Sequence, residues 1–456
     1  MRRLLPATLL VSAAAIGYEI LLMRALSIVQ WHHFAWMIIS LALLGYGASG
    51  TFIAQLRSRL ESRFEQAFAG SALLFSISMV GCFVLAQRVP FNALEIVWDH
   101  GQLRNLALVY LAFFVPFFFA ACCIGLAFTC RGRESSRIYF FDLVGAGLGA
   151  LLVIALLFAV SPQTALVLLA LLPLLGSVLV ASATAARLPI GIAQLAWLGL
   201  LAVAPPQALL ELRISEYKGL SQALQVVDSR ILGQASSPLG LVTVVDSPTV
   251  PVRHAPGLSF GTRHIPPEQL AVFTDADGMS AITRYDGDRA SVAYLGDMTA
   301  ALPFALLEQP AVLVLGAGTG SDVLMALYHG ASRVDAVELN PQMTALVAET
   351  YAGFAGHIYD DPRVTVVTAE ARGFVARHAG SYDLVQIGLL DSFGASGAGV
   401  QALNESYLST VEALGEYLQH LAPGGVLAIT RWIKLPPRDS IKLMATAIEA
   451  LRRAGV

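Results

Sequence analysis

Ala311-Val-Leu-Val-Leu315-Gly316-Ala-Gly318-Thr319-Gly320-Ser-Asp322 decides how this chain is read. Five consecutive apolar residues make a strand buried on both faces, as the strands of parallel sheets are. The glycine turn that follows leads into a helical run over Val323–Tyr328. Such a turn lets a ligand approach backbone amides at a helix N-terminus. The next strand, Arg333–Glu338, ends in an acid 22 residues after Gly316, the reach at which a carboxylate accepts ribose hydroxyls.

The alternation continues. A third strand, Val364–Thr368, ends at Glu370-Ala371-Arg372, and a fourth, Tyr382–Ile387, ends at Gly388-Leu-Leu-Asp391-Ser392. A fifth, Val426–Thr430, follows the Pro423-Gly-Gly425 turn and ends at Arg431-Trp432, with a helix predicted over Asp439–Arg453. Ligands of open α/β sheets sit outside the carboxyl ends of the strands, so Glu338, Glu370, Asp391 and Arg431 are expected to face one cleft. Asp391-Ser392 could equally supply a helix N-cap. Upstream, the β-prone runs Leu241–Val245 and Leu270–Thr274 stand between turns at Ser247-Pro248, Ala255-Pro-Gly257 and Asp275-Ala-Asp277-Gly278, which predicts a small β-rich subdomain.

The 456 residues are 56% hydrophobic and 13% charged, against about 45–50% and about 25% in ordinary soluble domains. That excludes disorder. The surplus is uneven: residues 1–210 carry 12 Arg, no Lys and 7 acids, a net of +5, while the other 246 carry 17 Lys+Arg and 25 acids, a net of −8. A lipid-soluble part thus precedes an acidic, water-soluble one. The soluble part has no basic cluster with which to bind nucleic acid. The four cysteines, Cys82, Cys122, Cys123 and Cys130, lie in the apolar part at spacings that fit neither a zinc site nor a disulfide framework, and no metal is expected.

A bilayer core needs about 20 apolar residues of helix, and seven stretches approach or reach that length: 4–23, 33–54, 67–86, 106–129, 139–160, 163–185 and 188–209. The first is too long for a signal peptide and lacks a small-residue cleavage site. Nine arginines (Arg2, Arg3, Arg57, Arg59, Arg63, Arg131, Arg133, Arg137 and Arg187) fall on one side, against Arg24, Arg88 and Arg104 on the other, which puts the N-terminus in the cytoplasm. Seven full crossings would leave the soluble part outside. The expectation is instead an integral protein of the inner or plasma membrane with a cytoplasmic soluble domain, which requires either that the last segment, ending at Pro205-Pro206, is not a full crossing or that the parity differs elsewhere. Glu19 and Asp142 are intramembrane acids, read as a Glu19–Arg24 pair with an interfacial Asp142, or as a transport path. Gly45-Tyr-Gly47-Ala-Ser-Gly50 matches a nucleotide motif by letter but has no strand before it, so close helix packing explains it, as it does Gly145-Ala-Gly147-Leu-Gly149.

The glycine turn, the acids at the second and third strand ends and the Pro-Gly-Gly turn together resemble the class I S-adenosylmethionine-dependent transferases. More closely, residues 211–456 resemble the spermidine synthase family. The apolar part is similar to the multi-span region of its membrane-fused members, through Tyr18-Glu19-Ile-Leu-Leu-Met-Arg24 and Tyr139-Phe-Phe-Asp142-Leu-Val-Gly145-Ala. The implied architecture is a membrane domain of about seven helices over 1–210, a β-rich subdomain over 211–310, and a Rossmann-like cofactor-binding domain over 311–456.

The resemblance implies S-adenosylmethionine or its decarboxylated form as cofactor, held by Gly316, Gly318, Thr319, Gly320, Glu338, Glu370, Ala371 and Gly388. It implies an amine acceptor near Asp275, Tyr294 and Asp297, and the lipid bilayer and a homodimer as further partners. The family's motif departs here in places. Leu239-Gly240 follows Ser237-Pro238 where a glutamine is expected, and Gly296 replaces the histidine of Tyr294-Leu-Gly-Asp297-Met298. Thr319 replaces an acid that would hold the methionine amino group. After Tyr382-Asp383, Gly388 stands where the proton-accepting aspartate should be, and Asp391 falls at the later acid of that motif.

Three readings stay open. Asp391, with Glu405 from Asn404-Glu405-Ser406-Tyr407, catalyses a shifted aminopropyl transfer; or the site transfers a methyl group, which Thr319 favours; or the fold binds cofactor without turnover and regulates the membrane part. A complete sheet of this class carries two more strands after Asp439–Arg453, so the sequence is expected to be a cut length.

Overall fold

The computed structural model describes residues 2–30, 35–181, 187–203, 210–389, 407–433 and 435–456. It divides into two compact units, one of residues 1–218 with 236–238, the other of 219–235, 239–393 and 402–456.

The first unit is helical: α1 (Leu4–Val29), α2 (Ala35–Ser62), α3 (Phe64–Arg88), α4 (Gly101–Cys130), α5 (Ser135–Ala159), α6 (Pro162–Ala181) and α7 (Arg187–Val203). Helix α1 packs against α2, α4, α5 and α6, and its run Ala13-Ala14-Ala15 is buried. Small side chains let neighbouring backbones approach. At Gly145 and Gly149 of α5 an added Cβ would strike the backbone of Leu9 and Ala13, and at Gly45 one would lie 2.9 Å from the carbonyl carbon of Phe117. These glycines serve helix packing, as the sequence implied. Leucines point outward, Leu43 69% and Leu151 67% exposed, an apolar surface suited to lipid.

Among the described residues six helices are long and apolar enough to cross a membrane, not seven. The described part of the seventh, α7, has 17 residues. Polar bonds hold it. Gln194 Nε2 donates to Ser177 Oγ of α6 and Trp197 Nε1 to Ser76 Oγ of α3, both at 2.8 Å. The Ser76 hydroxyl donates to Ala170 O and the Ser177 hydroxyl to Ala69 O, each at 2.6 Å. Asp142 accepts from the Ser12 hydroxyl, and the buried Arg24 donates to Ser27 Oγ at 2.9 Å.

The second unit opens with a sheet ordered β1 (Arg230–Ser237), β2 (Gly240–Asp246), β3 (Gln269–Thr274), β4 (Gly278–Thr283). Strands β2 and β3 are the two expected runs, paired antiparallel with Val242 opposite Thr274. The sequence hid β1, which is largely exposed and so not apolar, and β4, where Gly278 and Ser280 interrupt the pattern.

Five parallel strands follow: β5 (Ala311–Leu315), β6 (Arg333–Glu338), β7 (Val364–Thr368), β8 (Tyr382–Ile387) and β9 (Leu421–Ile429). Between them run α8 (Ser321–Tyr328), α9 (Pro341–Ala345), α10 (Ala371–Val375) and α11 (Val411–Gln419), with α12 (Arg438–Arg453) at the end. The order β7-β6-β5-β8-β9 reverses direction at β5, the topological switch point at which doubly wound sheets bind ligands. Val312, Val334 and Leu384 face one core, and Leu313, Val337 and Val385 the other. Burial on both faces is why these strands read as continuous apolar runs. Strand β9 begins earlier than expected because Leu421 already pairs with Tyr382; the Pro423-Gly424-Gly425 turn, with φ of 81° at Gly424, then interrupts the register before Val426 pairs with Leu384. The sheet is a doubly wound, open parallel one of Rossmann-like order.

Candidate active site

The chain must turn from β5 into α8 within Gly316–Gly320. It does so with φ of 83° at Gly316, 53° at Gly318 and 84° at Gly320, values that side-chain-bearing residues seldom adopt. At Gly320 an added Cβ would also lie 2.7 Å from Ile358 Cδ1. The turn is tied to its neighbour strand: the amides of Gly316 and Ala317 donate to Val337 O at 2.8 and 3.0 Å. Thr319 is buried.

Glu338 closes the same corner. Its Oε2 accepts the Gly318 amide and its Oε1 the Asn340 amide, both at 2.8 Å. Burial pushes this carboxyl up, and the amides of Asn340, Gly318 and Leu339 oppose the shift. The Tyr359 hydroxyl donates to Gly318 O at 3.5 Å. Its phenol is raised by burial and by the charges of Glu338 and Asp322, which sets both acids around the turn.

Glu370, expected at the adenine, caps α10: its oxygens accept the Arg372 and Gly373 amides at 3.0 and 2.5 Å. Ala371 is the first residue of that helix. Arg431 donates to Ser409 Oγ at 3.1 Å. Asp391 and Glu405, the expected catalytic pair, lie outside the described residues, as do Ser392 and Asn404.

The three expected substrate residues are all engaged by protein groups. Asp275 is 2% exposed and accepts the Leu241 amide at 2.9 Å. It turns the β3–β4 hairpin with φ of 53°, and Ala276 follows at 62°. Both central φ values are positive, the geometry of a tight hairpin turn. The buried Tyr294 hydroxyl sits 3.3 Å from Thr283 Oγ1, and burial raises its phenol. Asp297 Oδ2 accepts from Thr262 Oγ1 and lies 2.9 Å from His264 Nδ1. Those two bonds hold its carboxyl below the usual range. His264, far off in sequence, brings an imidazole to the segment in which Gly296 replaces one.

Two residues given no role by the sequence join the site. Asp322, the second residue of α8, accepts Gln386 Nε2 at 2.9 Å. Burial lifts its carboxyl to about 6, with the Gln386 bond opposing. Gly388 abuts it: an added Cβ would collide with Asp322 Oδ2. The signal was Gln386 itself, an amide inside the apolar run Leu384-Val385-Gln386-Ile387, since a buried amide needs a partner. Among the described residues no group of three or more His, Cys, Asp and Glu side chains is placed to hold a metal ion.

No family model matches the chain. It is 37% identical over 83 residues to polyamine aminopropyltransferase 2 of Ralstonia nicotianae, 18% of this chain and 16% of that one. It is 29% identical over 109 residues to polyamine aminopropyltransferase of Korarchaeum cryptofilum, 24% of this chain and 33% of that one. With the enzyme of the same name from Streptococcus pneumoniae it shares 31% over 100 residues, 22% of this chain and 35% of that one. The matches therefore span 16% to 35% of these curated relatives' own length. A solved spermidine synthase in complex with the transition state analogue AdoDATO and the spermidine synthase from Thermotoga maritima each align with 49% of this chain and with 63% and 62% of theirs. Identities are 16% and 17% and TM-scores 0.32 and 0.30, too low to bear on the argument. Over 18% to 24% of its length the chain is thus similar to polyamine aminopropyltransferases, and among the described residues it carries six helices long and apolar enough to cross a membrane.

Proposed function

We propose that this chain is a membrane-bound aminopropyltransferase that uses decarboxylated S-adenosylmethionine and an amine acceptor. The observation that carries the reading is Glu338, aimed by two amides at the end of β6 beside the glycine turn, in a chain whose curated relatives are polyamine aminopropyltransferases. Those relatives favour aminopropyl over methyl transfer.

The residues fit the cofactor. In front of Gly318 an added Cβ would find nothing nearer than Gly316 O at 3.9 Å, so the turn leaves an open cradle. Glu338 bounds it with lone pairs still available for the two ribose hydroxyls. Ala371 and the capped Glu370 would face the adenine, and the α8 amides the remainder. When bound, the cofactor supplies a sulfonium that makes its propyl carbon electrophilic. This chain's residues must exclude water, orient the amine and take its proton; Asp391 and Glu405 are candidates for that last task.

We propose the domain limits 1–210, 211–310 and 311–456. The further part of this reading is a cytoplasmic N-terminus and a cytoplasmic transferase domain, which the arginine distribution supports.

Isothermal titration of the purified full chain in detergent tests the reading. Binding of decarboxylated S-adenosylmethionine in preference to S-adenosylmethionine supports it. No heat with either, or binding of the carboxylated form alone, refutes it.

A further inference from the structure

An amine is a nucleophile only once its nitrogen has a lone pair, so the proposed transfer needs a proton acceptor beside the switch point. Three carboxylates stand there among the described residues. Both oxygens of Glu338 are held by backbone amides, and both oxygens of Glu370 cap α10. Asp322 differs. One oxygen accepts from Gln386, and the other makes no hydrogen bond among the described residues and lies against Gly388.

Two further facts point the same way. The carboxylate oxygen occupies the space that any side chain at 388 would enter, so glycine there is a condition for Asp322 to reach this position. Gln386 is 1% exposed, and its Oε1 is buried with no hydrogen-bond partner. Native proteins rarely leave a buried acceptor unmet. A ligand carrying N–H donors would meet it, and a primary amine between Asp322 and Gln386 has donors for both.

We propose that Asp322 is the general base of the transfer, taking the proton of the attacking amine while Gln386 fixes its orientation. This rests on the aminopropyltransferase reading above. Asp322 takes a proton from the acceptor's ammonium group, which leaves the nitrogen its lone pair. The nitrogen then forms a bond to the propyl carbon as that carbon's bond to sulfur breaks, the electron pair staying on sulfur and cancelling its charge. A secondary ammonium, a thioether and a carboxylic acid result, so atoms and charge balance. Burial supports the role: a carboxyl lifted to about 6 holds a proton better than an exposed one yet is mostly ionised at neutral pH. Among the described residues, the Tyr359 phenol feels the charges of both Glu338 and Asp322.

The test is an initial-rate assay on the full chain in detergent, with decarboxylated S-adenosylmethionine and, in turn, 1,3-diaminopropane, 1,4-diaminobutane and 1,5-diaminopentane. In Asp322→Asn the rate is expected to fall at least about a hundredfold, while cofactor affinity by titration stays within about threefold. A variant within about tenfold of the parent rate overturns the assignment and leaves the aminopropyltransferase reading standing. A parent chain that binds cofactor but aminopropylates none of the three amines removes that reading and the assignment with it. Should Asp322→Asn lose cofactor binding, the exchange Asp322→Ala with Gly388→Asp decides, because it returns a carboxylate to the same space. Recovery of transfer over Asp322→Ala alone supports a base at this place, and an exchange variant that binds cofactor but stays inactive overturns it.

Discussion

Asp322 and Gly388 share one volume: the Oδ2 of Asp322 stands where a Cβ on residue 388 would be. A methyl at 388 must push the carboxylate off Gln386, so Gly388→Ala is expected to slow transfer by about tenfold or more while binding cofactor normally. Rates and titration on the same preparation check this. Among relatives, an acid at 388 should accompany loss of the acid at 322.

The acid limb of the rate profile follows from the same carboxyl. Transfer is expected to rise with pH through about 6 and to lose that limb in Asp322→Asn. Stability runs the opposite way. The folded-state value is raised above the ordinary carboxylate value, so the contribution of the protonated group is complete below that ordinary value and is lost as pH rises through about 6. Thermal melts of parent and Asp322→Asn should therefore shift in favour of the variant across that interval.

Glu338→Gln keeps the size of the side chain but removes its charge and one of its acceptors. Charge-assisted hydrogen bonds to ligand hydroxyls are worth about 1.5–3 kcal/mol, so cofactor affinity should fall roughly ten- to hundredfold. Unchanged affinity by titration would place the ribose elsewhere.

Helix α5 offers a paired control. At Gly149 an added Cβ collides with the Ala13 backbone, whereas at Gly147 it meets nothing within 4 Å. Gly149→Leu is expected to destabilise the helical unit by about 2 kcal/mol or more, and Gly147→Leu to leave it unchanged. Melting of the detergent-solubilised chain followed by fluorescence separates them.

Reporter fusions at Met1 and after Val456 should report the same side of the membrane, the cytoplasm. Opposite sides would mean that α7 crosses.

The parallel sheet was legible because strands buried on both faces announce themselves as apolar runs, and the glycine turn because positive φ demands glycine. Glu370 was legible as an acid at a strand end but not as a cap, because both uses ask for the same residue at the same place. Asp322 was invisible for a similar reason: an acid in the first turn of a helix is ordinary. Only its packing against Gln386 and Gly388, 64 and 66 positions away, gives it a further use.

The two serine hydroxyls beneath α7 point in opposite directions, Ser76 from α3 to α6 and Ser177 from α6 to α3, and each also receives a hydrogen from α7. The three helices are thereby keyed at two heights. Sliding any one of them by a single residue breaks both keys at once, and hydrocarbon has no water to replace the lost bonds. Helix α7 is in this way given one depth and one rotation against α3 and α6.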